Sequence, residues 1–133
     1  MSSNPDPDNG LIHLKSNFSA CETAARLEAA LRKHGLHHFA RIDHSAAAAE
    51  TGMKMRQTEV LVFGNPAIGT PMMLAAPTLA IDLPFKGLVW EESSGQVWLT
   101  YNTPEYLVNR HHVPKSLAGS LDGLVDLLRE VVN

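Results

Sequence analysis

The stretch of residues 63–73 constrains the fold of this 133-residue chain more than any other part of the sequence. It places two glycines, two prolines, one asparagine and one threonine between two apolar runs. The run before it, residues 60–63, is apolar at every position, which predicts a central strand buried on both faces. Gly64 then ends that strand, because glycine is poorly suited to a strand interior. The stretch therefore specifies a sharp change of backbone direction at the end of a buried strand.

Two helix starts follow this strand in close succession. Asn65 can cap a helix whose first residue is Pro66, since a proline at that position lacks only an N–H group that has no partner there. Thr70 and Pro71 repeat the arrangement, and a residue before proline is disfavoured in the helical region. The sequence thus predicts two short helices with a kink near Gly69. Their first N–H groups would face a hollow, where they could bind an anion.

The rest of the chain divides into further strands and helices. The best-defined helix covers residues 19–34, where Ser19 and Glu22 fit a capping box and Gly35 fits a left-handed C-cap. Alternation predicts strands at residues 11–17, 36–43, 57–63, 85–91 and 96–101, the last two forming a hairpin. Short helices are predicted within residues 44–55, 78–82 and 104–110, and a long amphipathic helix at residues 116–132.

The order of these elements predicts the fold class. Strands and helices do not alternate strictly, which favours an α+β fold over a doubly wound parallel sheet. We expect a two-layer sandwich, with a mostly antiparallel sheet and two long helices on one face. Residues 11–133 would form this single domain. Residues 1–10 are polar and predict a disordered N-terminal tail.

Composition excludes several classes of function. The formal net charge is −3, and the 11 lysines and arginines are scattered, which argues against a nucleic-acid partner. With one cysteine, Cys21, the chain cannot form an internal disulfide, and this fits a reducing compartment. The start lacks the features of a signal peptide, and no apolar run is long enough to span a bilayer. We expect a cytoplasmic protein with no membrane partner.

Two blocks of the sequence, residues 64–84 and 97–111, resemble one known family. In order and spacing they are similar to the bacterial and archaeal family called domain of unknown function 302, although Thr103 stands where that family commonly has aspartate. The resemblance implies a compact sandwich like that of the TATA-binding protein, often found as a homodimer. It implies no reaction, substrate or cofactor, and a shared fold carries no inference of DNA binding.

The seven histidines raise the question of a metal site. His37 and His38 are adjacent, as are His111 and His112, and neighbours on a strand point to opposite faces. The sequence lacks the paired histidines or cysteines that zinc sites require. We therefore expect neither a metal nor a cofactor.

The leading functional hypothesis is a small homodimeric module that binds a polar or anionic ligand beside residues 64–73. Asn65 and Thr70 would donate hydrogen bonds, and Met72 and Met73 would form an apolar wall. Asn102 would approach from the opposite side, together with Tyr101 and His111. Trp90 and Trp98 lie on the predicted hairpin, where an open sheet face would suit a dimer interface.

Two alternatives remain. An enzyme would use His111 as a general base assisted by Asp82 or Tyr101, which requires these side chains to converge. A purely structural or interaction module would need neither a ligand nor a reaction. The sequence favours a protein that is not an enzyme, because it contains no established catalytic motif.

Overall fold

The computed structural model describes residues 9–133. Residues 1–8 of the predicted tail lie outside the described residues, so that part of the prediction stays open. Asn9 and Gly10 form a turn that leads into the first strand. The sheet consists of β1 (Leu11–Lys15), β2 (His37–Asp43), β3 (Thr58–Gly64), β4 (Phe85–Glu91) and β5 (Val97–Asn102). The α-helices are α1 (Ala20–Lys33), α2 (His44–Glu50), α3 (Pro66–Ala75), α4 (Pro104–His111), α5 (Lys115–Ala118) and α6 (Asp122–Val131), with 3₁₀ turns at Pro77–Ile81 and Gly119–Leu121.

The five strands form one antiparallel sheet in the order β1-β5-β4-β3-β2. The predicted hairpin of β4 and β5 is present, with Trp90 directly opposite Trp98. The predicted α+β class with an antiparallel sheet is therefore confirmed. One irregularity interrupts β2, where the register shifts between His38 and Ala40 and leaves Phe39 in a bulge. A bulge re-aims the side chain it contains, and this one lies at the end of the sheet nearest α3.

The core lies between one face of the sheet and the helices α1 and α6. Ser19 caps α1 as predicted, with its hydroxyl accepting a hydrogen bond from the Glu22 N–H. Leu27 and Leu31 of α1 are fully buried. The helix approaches β4 closely at Gly87, where an added Cβ would come within 3.0 Å of Leu27 Cδ2. Glycine at this position thus allows helix and sheet to pack in contact.

The last helix is not continuous as predicted. Instead of one helix over residues 116–132, the chain forms α5, a 3₁₀ turn and α6. The change of winding begins at Gly119, since glycine costs about 1 kcal/mol relative to alanine in a helix interior. The tighter turn ends at Leu121, which is buried in the core together with Leu124 of α6.

The prediction of two helices after Asn65 is also wrong, because α3 is a single helix that includes Gly69 and Pro71. Asn65 caps it as predicted. A proline inside a helix removes one backbone hydrogen bond and crowds the carbonyl four residues earlier. Pro71 is the sixth residue of α3, and the helix continues past it to Ala75 despite this local cost.

The second face of the sheet carries the alternate residues of each strand. The pairing of adjacent strands aligns five of these residues in one row across the face: His13, Thr100, Leu88, Val60 and Ile42. The hydroxyl of Thr100 bonds to His13 Nδ1 and accepts from Trp90 Nε1, both at 2.8 Å. Ile42 is 45% exposed. This second face, defined by that row with Trp90 and Trp98, thus combines aliphatic and aromatic side chains with the polar pair of His13 and Thr100, and it is partly open to solvent.

Candidate functional site

A cavity of about 280 Å³ lies beside α3, at the end of the sheet. Four regions form it: the bulge of β2, the end of β3 with α3, the segment that leads into β4, and the start of α6. The lining residues are Phe39, Gly64, Asn65, Pro66, Ile68, Gly69, Thr70, Met72, Met73, Leu83, Pro84, Phe85, Leu121 and Leu124. This volume is near the lower end of the range for small-molecule sites.

The cavity has a buried floor and an open mouth. Met72, Leu121 and Leu124 are buried and form the floor. Thr70 is exposed and lies at the rim, while Phe39, in the bulge of β2, is 47% exposed. A large aromatic ring that both lines a cavity and contacts solvent marks its opening. The bulge therefore supplies an aromatic side wall that a regular strand would not provide.

The chemistry of the lining is almost wholly apolar. Among the described residues that line the cavity there is no aspartate, glutamate, lysine, arginine or histidine. Asn65 and Thr70 are the polar side chains in this set. A site of this kind recognises a ligand mainly through burial of apolar surface, with a few polar groups setting its orientation.

The N–H groups at the start of α3 are already occupied. Pro66 has none, and the Ala67 N–H donates to Asn65 Oδ1 at 2.9 Å. The N–H groups of Ile68 and Gly69 both donate to the backbone carbonyl of Asn65 at 2.9 Å. An anion bound at a helix start needs N–H groups that point at it. The basis on which the sequence predicted an anionic ligand is therefore not present at this helix.

Gly69 is unusual among the lining residues, because neither backbone strain nor steric crowding requires glycine there. It lies inside α3 without a positive φ angle. An added Cβ would meet Leu83 Cδ1 at 3.5 Å and Met73 Cε at 4.0 Å, which are ordinary contacts with two other lining residues. Glycine in a helix costs about 1 kcal/mol relative to alanine. Its one evident effect on the structure is to leave space in the cavity.

Four of the five predicted ligand-binding residues line this cavity: Asn65, Thr70, Met72 and Met73. Asn102 does not, and lies instead along a separate cleft of about 10 Å³ beside Tyr101 and Pro104. Sequence reasoning missed Phe39, Leu83, Phe85, Leu121 and Leu124. Their apolar character was visible, but no local pattern could show that a bulge and a broken helix would bring them to α3.

His111 belongs to a separate hydrogen-bonded cluster. Its Nε2 lies 2.5 Å from Asp82 Oδ2, and its Nδ1 lies 2.8 Å from the Thr78 hydroxyl. Arg110 also donates to Asp82, at 3.0 Å. With a neutral ring, Nε2–H donates to the carboxylate and Nδ1 accepts from the hydroxyl. The cluster joins the end of α4 to the 3₁₀ turn at Pro77–Ile81, and it lines neither the cavity beside α3 nor the cleft beside Tyr101.

Tyr101 does not belong to this cluster. It is buried in the core, with the Arg129 side chain of α6 close enough to its phenol to influence the pKa. Burial raises the pKa of the phenol, and the nearby positive charge of Arg129 opposes that rise. Of the two predicted assistants for His111, the structure thus brings Asp82 into contact and places Tyr101 with a different partner. Within residues 9–133, no group of three or more metal-ligating side chains converges.

With the fold and the cavity described, comparison with known proteins places the chain in a family. The family model described as domain of unknown function DUF302 matches residues 12–131. The chain belongs to this family. It is also similar to a solved structure, an uncharacterized conserved DUF302 protein from Bacillus stearothermophilus, with a TM-score of 0.81 and 19% identity over 94% of this chain and 99% of that one. At this identity the likeness supports the fold alone.

Curated relatives carry a different description. The chain is 40% identical over 118 residues to a protein named fluoride-specific ion channel FluC 1 from Brucella suis. A Brucella melitensis protein named FluC 2 matches to the same extent. The match covers 89% of this chain but only 46% and 44% of those relatives, less than half of their length. No helix in the described part of this chain is long and apolar enough to cross a membrane.

Proposed function

We propose that this DUF302 chain is a homodimeric module that binds a small, largely apolar molecule in the cavity beside α3. The observation that carries the proposal is the coincidence of a formed cavity, an uncharged lining and a helix glycine at position 69 that keeps the space open. A buried floor and an aromatic residue at the mouth add the enclosure that a ligand site needs. The family itself has no assigned function that would compete with this proposal.

The size of the cavity bounds the ligand. At a liquid volume of about 30 Å³ per water molecule, it accommodates about nine water-sized groups, hence a ligand of about that many non-hydrogen atoms. Small ligands gain on the order of 0.5 kcal/mol per such atom, which gives a Kd on the order of a millimolar or somewhat tighter. Binding of this strength is measured by NMR titration or by native mass spectrometry.

The dimer is proposed through the second face of the sheet. Five strands about 4.8 Å apart and about six residues long give a face of roughly 24 by 20 Å. Two such faces offer on the order of 1,000 Å², which reaches the lower limit for a specific interface. The row across this face contains three aliphatic residues, Leu88, Val60 and Ile42. Trp90 and Trp98 beside it add the aromatic character that is typical of interface centres.

Native mass spectrometry of the purified full chain tests the dimer, and an NMR titration of the same chain with a neutral aromatic probe, acetophenone, tests the cavity. We expect the mass of a dimer, and saturable shifts of the α3 amides at millimolar concentrations of the probe, which match the Kd derived above. A monomer would contradict the first part of the proposal. Amides of α3 that do not shift with any neutral probe would contradict the second part.

The enzyme hypothesis has one supporting contact, that of His111 with Asp82. However, the side chain of His111 is only 6% exposed, and its two ring nitrogens already contact Asp82 and Thr78. A general base must reach a substrate. The arrangement therefore favours a structural role, in which hydrogen bonds connect α4 to the 3₁₀ turn at Pro77–Ile81, over a catalytic one.

The relatives named as fluoride channels suggest where such a module can occur, because more than half of their length lies outside the match. We propose that in those proteins the matched segment is an attached domain, and that the remaining part conducts fluoride. The test is to express the Brucella suis protein without its matched residues and to ask whether this chain binds to it. Binding, with fluoride transport retained by the truncated protein, would support the proposal, whereas loss of transport would place conduction in the matched segment.

A further inference from the structure

We infer that the molecule held beside α3 is electrically neutral and carries at most one hydrogen-bonding group, and that it is neither an anion nor a cation. The inference rests on the proposed function, because it concerns the ligand of the same cavity. It replaces the polar or anionic ligand predicted from the sequence with an uncharged one. Three observations on the lining and its surroundings carry it.

The first observation is that the charged side chains nearest to the lining residues in sequence, those of Lys86 and Asp82, make their contacts outside the cavity. Lys86 follows the lining residue Phe85 but lies on the opposite face of β4, since successive strand residues alternate. Its ammonium group donates to the carbonyl oxygens of Asp82 and Pro84, both at 3.2 Å. Asp82 itself pairs with Arg110 and His111. A charged ligand would therefore find no counter-charge among the lining side chains.

The second observation is the state of the helix start. The first N–H groups of α3 all have partners within the chain, two of them on the carbonyl of Asn65 and one on its side chain. A carboxylate at this position would have to displace those bonds. If those bonds stayed in place, the carboxylate would lose its water of hydration and gain no backbone donor, and burial of an unpaired ion is strongly unfavourable. An anion is therefore disfavoured at the place where the sequence first suggested one.

The third observation concerns the polar groups that remain. Asn65 accepts a hydrogen bond through Oδ1, so its amide nitrogen is available as a donor. The Thr70 hydroxyl at the rim can donate or accept. Two such groups suit a single carbonyl or hydroxyl on a ligand whose other atoms contact Met72, Met73 and Phe39. The fitting class is a compact aromatic or aliphatic molecule with one neutral polar group.

The experiment compares probes of the same size that differ in charge. Acetophenone, benzamide, benzoate and benzamidinium have the same number of non-hydrogen atoms and nearly the same shape, and isopropylbenzene is the matching hydrocarbon. Each is titrated at neutral pH into ¹⁵N-labelled protein, with the amide shifts of α3 as the readout. We expect acetophenone and isopropylbenzene to bind at least about tenfold more tightly than benzoate or benzamidinium.

Two variants localise the binding. Gly69→Leu extends a side chain toward Leu83 and Met73 and should abolish binding of the neutral probes. Gly123→Leu is the control, because Gly123 also lies in a helix, is exposed and has no atom near its added Cβ. Both variants are first checked for native folding by their spectra.

The outcomes separate this inference from the proposed function. If benzoate or benzamidinium binds as tightly as acetophenone, and Gly69→Leu abolishes that binding, the neutral class is wrong while the cavity remains a ligand site. If isopropylbenzene and all the isosteres leave the α3 amides unshifted, both the ligand class and the proposed function are overturned.

Discussion

Among the glycines within regular elements, Gly69, Gly87 and Gly123 differ in what surrounds them. Gly87 lies where α1 meets β4, and an added Cβ would approach Leu27 and Leu99 within 3.0 and 3.3 Å. Gly123 lies on an exposed face of α6 with no neighbour near its added Cβ. Gly69 faces the cavity, with only ordinary contacts around an added methyl group. Replacement by alanine should therefore have opposite effects on stability at Gly87, which is closely packed, and at Gly69, which borders the cavity.

At this scale we predict that Gly69→Ala raises the free energy of unfolding by about 1 kcal/mol, the difference in helix propensity between the two residues. Gly123→Ala should give a similar gain, whereas Gly87→Ala should lower stability by about 1–3 kcal/mol through overpacking. Urea denaturation of the three variants measures these changes. A clear loss of stability in Gly69→Ala would mean that packing requires the glycine, which contradicts its role in keeping the cavity open.

At the scale of elements, several helix starts are set by capping side chains. Asp43 begins α2, and its carboxylate accepts hydrogen bonds from the Ser45 hydroxyl and the Ala46 N–H. The bond from Ser45, followed by that from Ala46, lowers the pKa of this carboxyl. A carboxyl whose folded-state pKa is lowered stabilises the fold above its unfolded-state pKa, and this contribution is lost as the pH falls through the folded-state value.

We therefore predict that Asp43→Asn keeps the cap but removes this pH dependence. Asparagine caps a helix about as well as aspartate. The difference in stability between the wild-type chain and the variant should shrink as the pH falls through the acidic range in which aspartates are protonated. Thermal unfolding across that range measures it. A difference that does not change with pH would show that the Asp43 carboxylate has no role in the stability of α2.

The elements also show which features the sequence could and could not predict. Local signals predicted α1 from its capping box, and the cap of α3 from Asn65. They failed at Pro71 and Gly119, because whether a helix continues past a weak residue depends on the packing of its neighbours. The candidate site was predicted only in part, because some of its residues are also placed by packing between distant segments. Residues within α3 were found, whereas Phe39 was missed because its position depends on a bulge in strand pairing.

At the scale of the whole molecule, the sheet divides the chain into two different environments. One face packs against α1 and α6 and forms the core, with the cavity at its end. The second face carries the row from His13 to Ile42 and is not fully buried, since Ile42 is 45% exposed. A sheet face with exposed apolar side chains is a common site of protein association. The proposed dimer would cover this face and leave the cavity accessible.

We predict that Ile42→Glu, at one end of this row, weakens the dimer by at least about tenfold in Kd, because a charge would be buried in the interface. The fold of the monomer should be little affected, since Ile42 is already 45% exposed. Ile81→Glu is the control, as Ile81 is 76% exposed and lies in the 3₁₀ turn, away from this row. Sedimentation equilibrium of both variants measures the effect. An unchanged dimer in Ile42→Glu would exclude this row from the interface.

The most direct test of the central claim is a titration of acetophenone into the wild-type chain and into Gly69→Leu, with the amide shifts of α3 as the readout. The account predicts saturable shifts at the cavity in the wild-type chain, with a Kd on the order of a millimolar or tighter, and none in Gly69→Leu. Shifts that are absent in the wild-type chain, or that persist in Gly69→Leu, would contradict it.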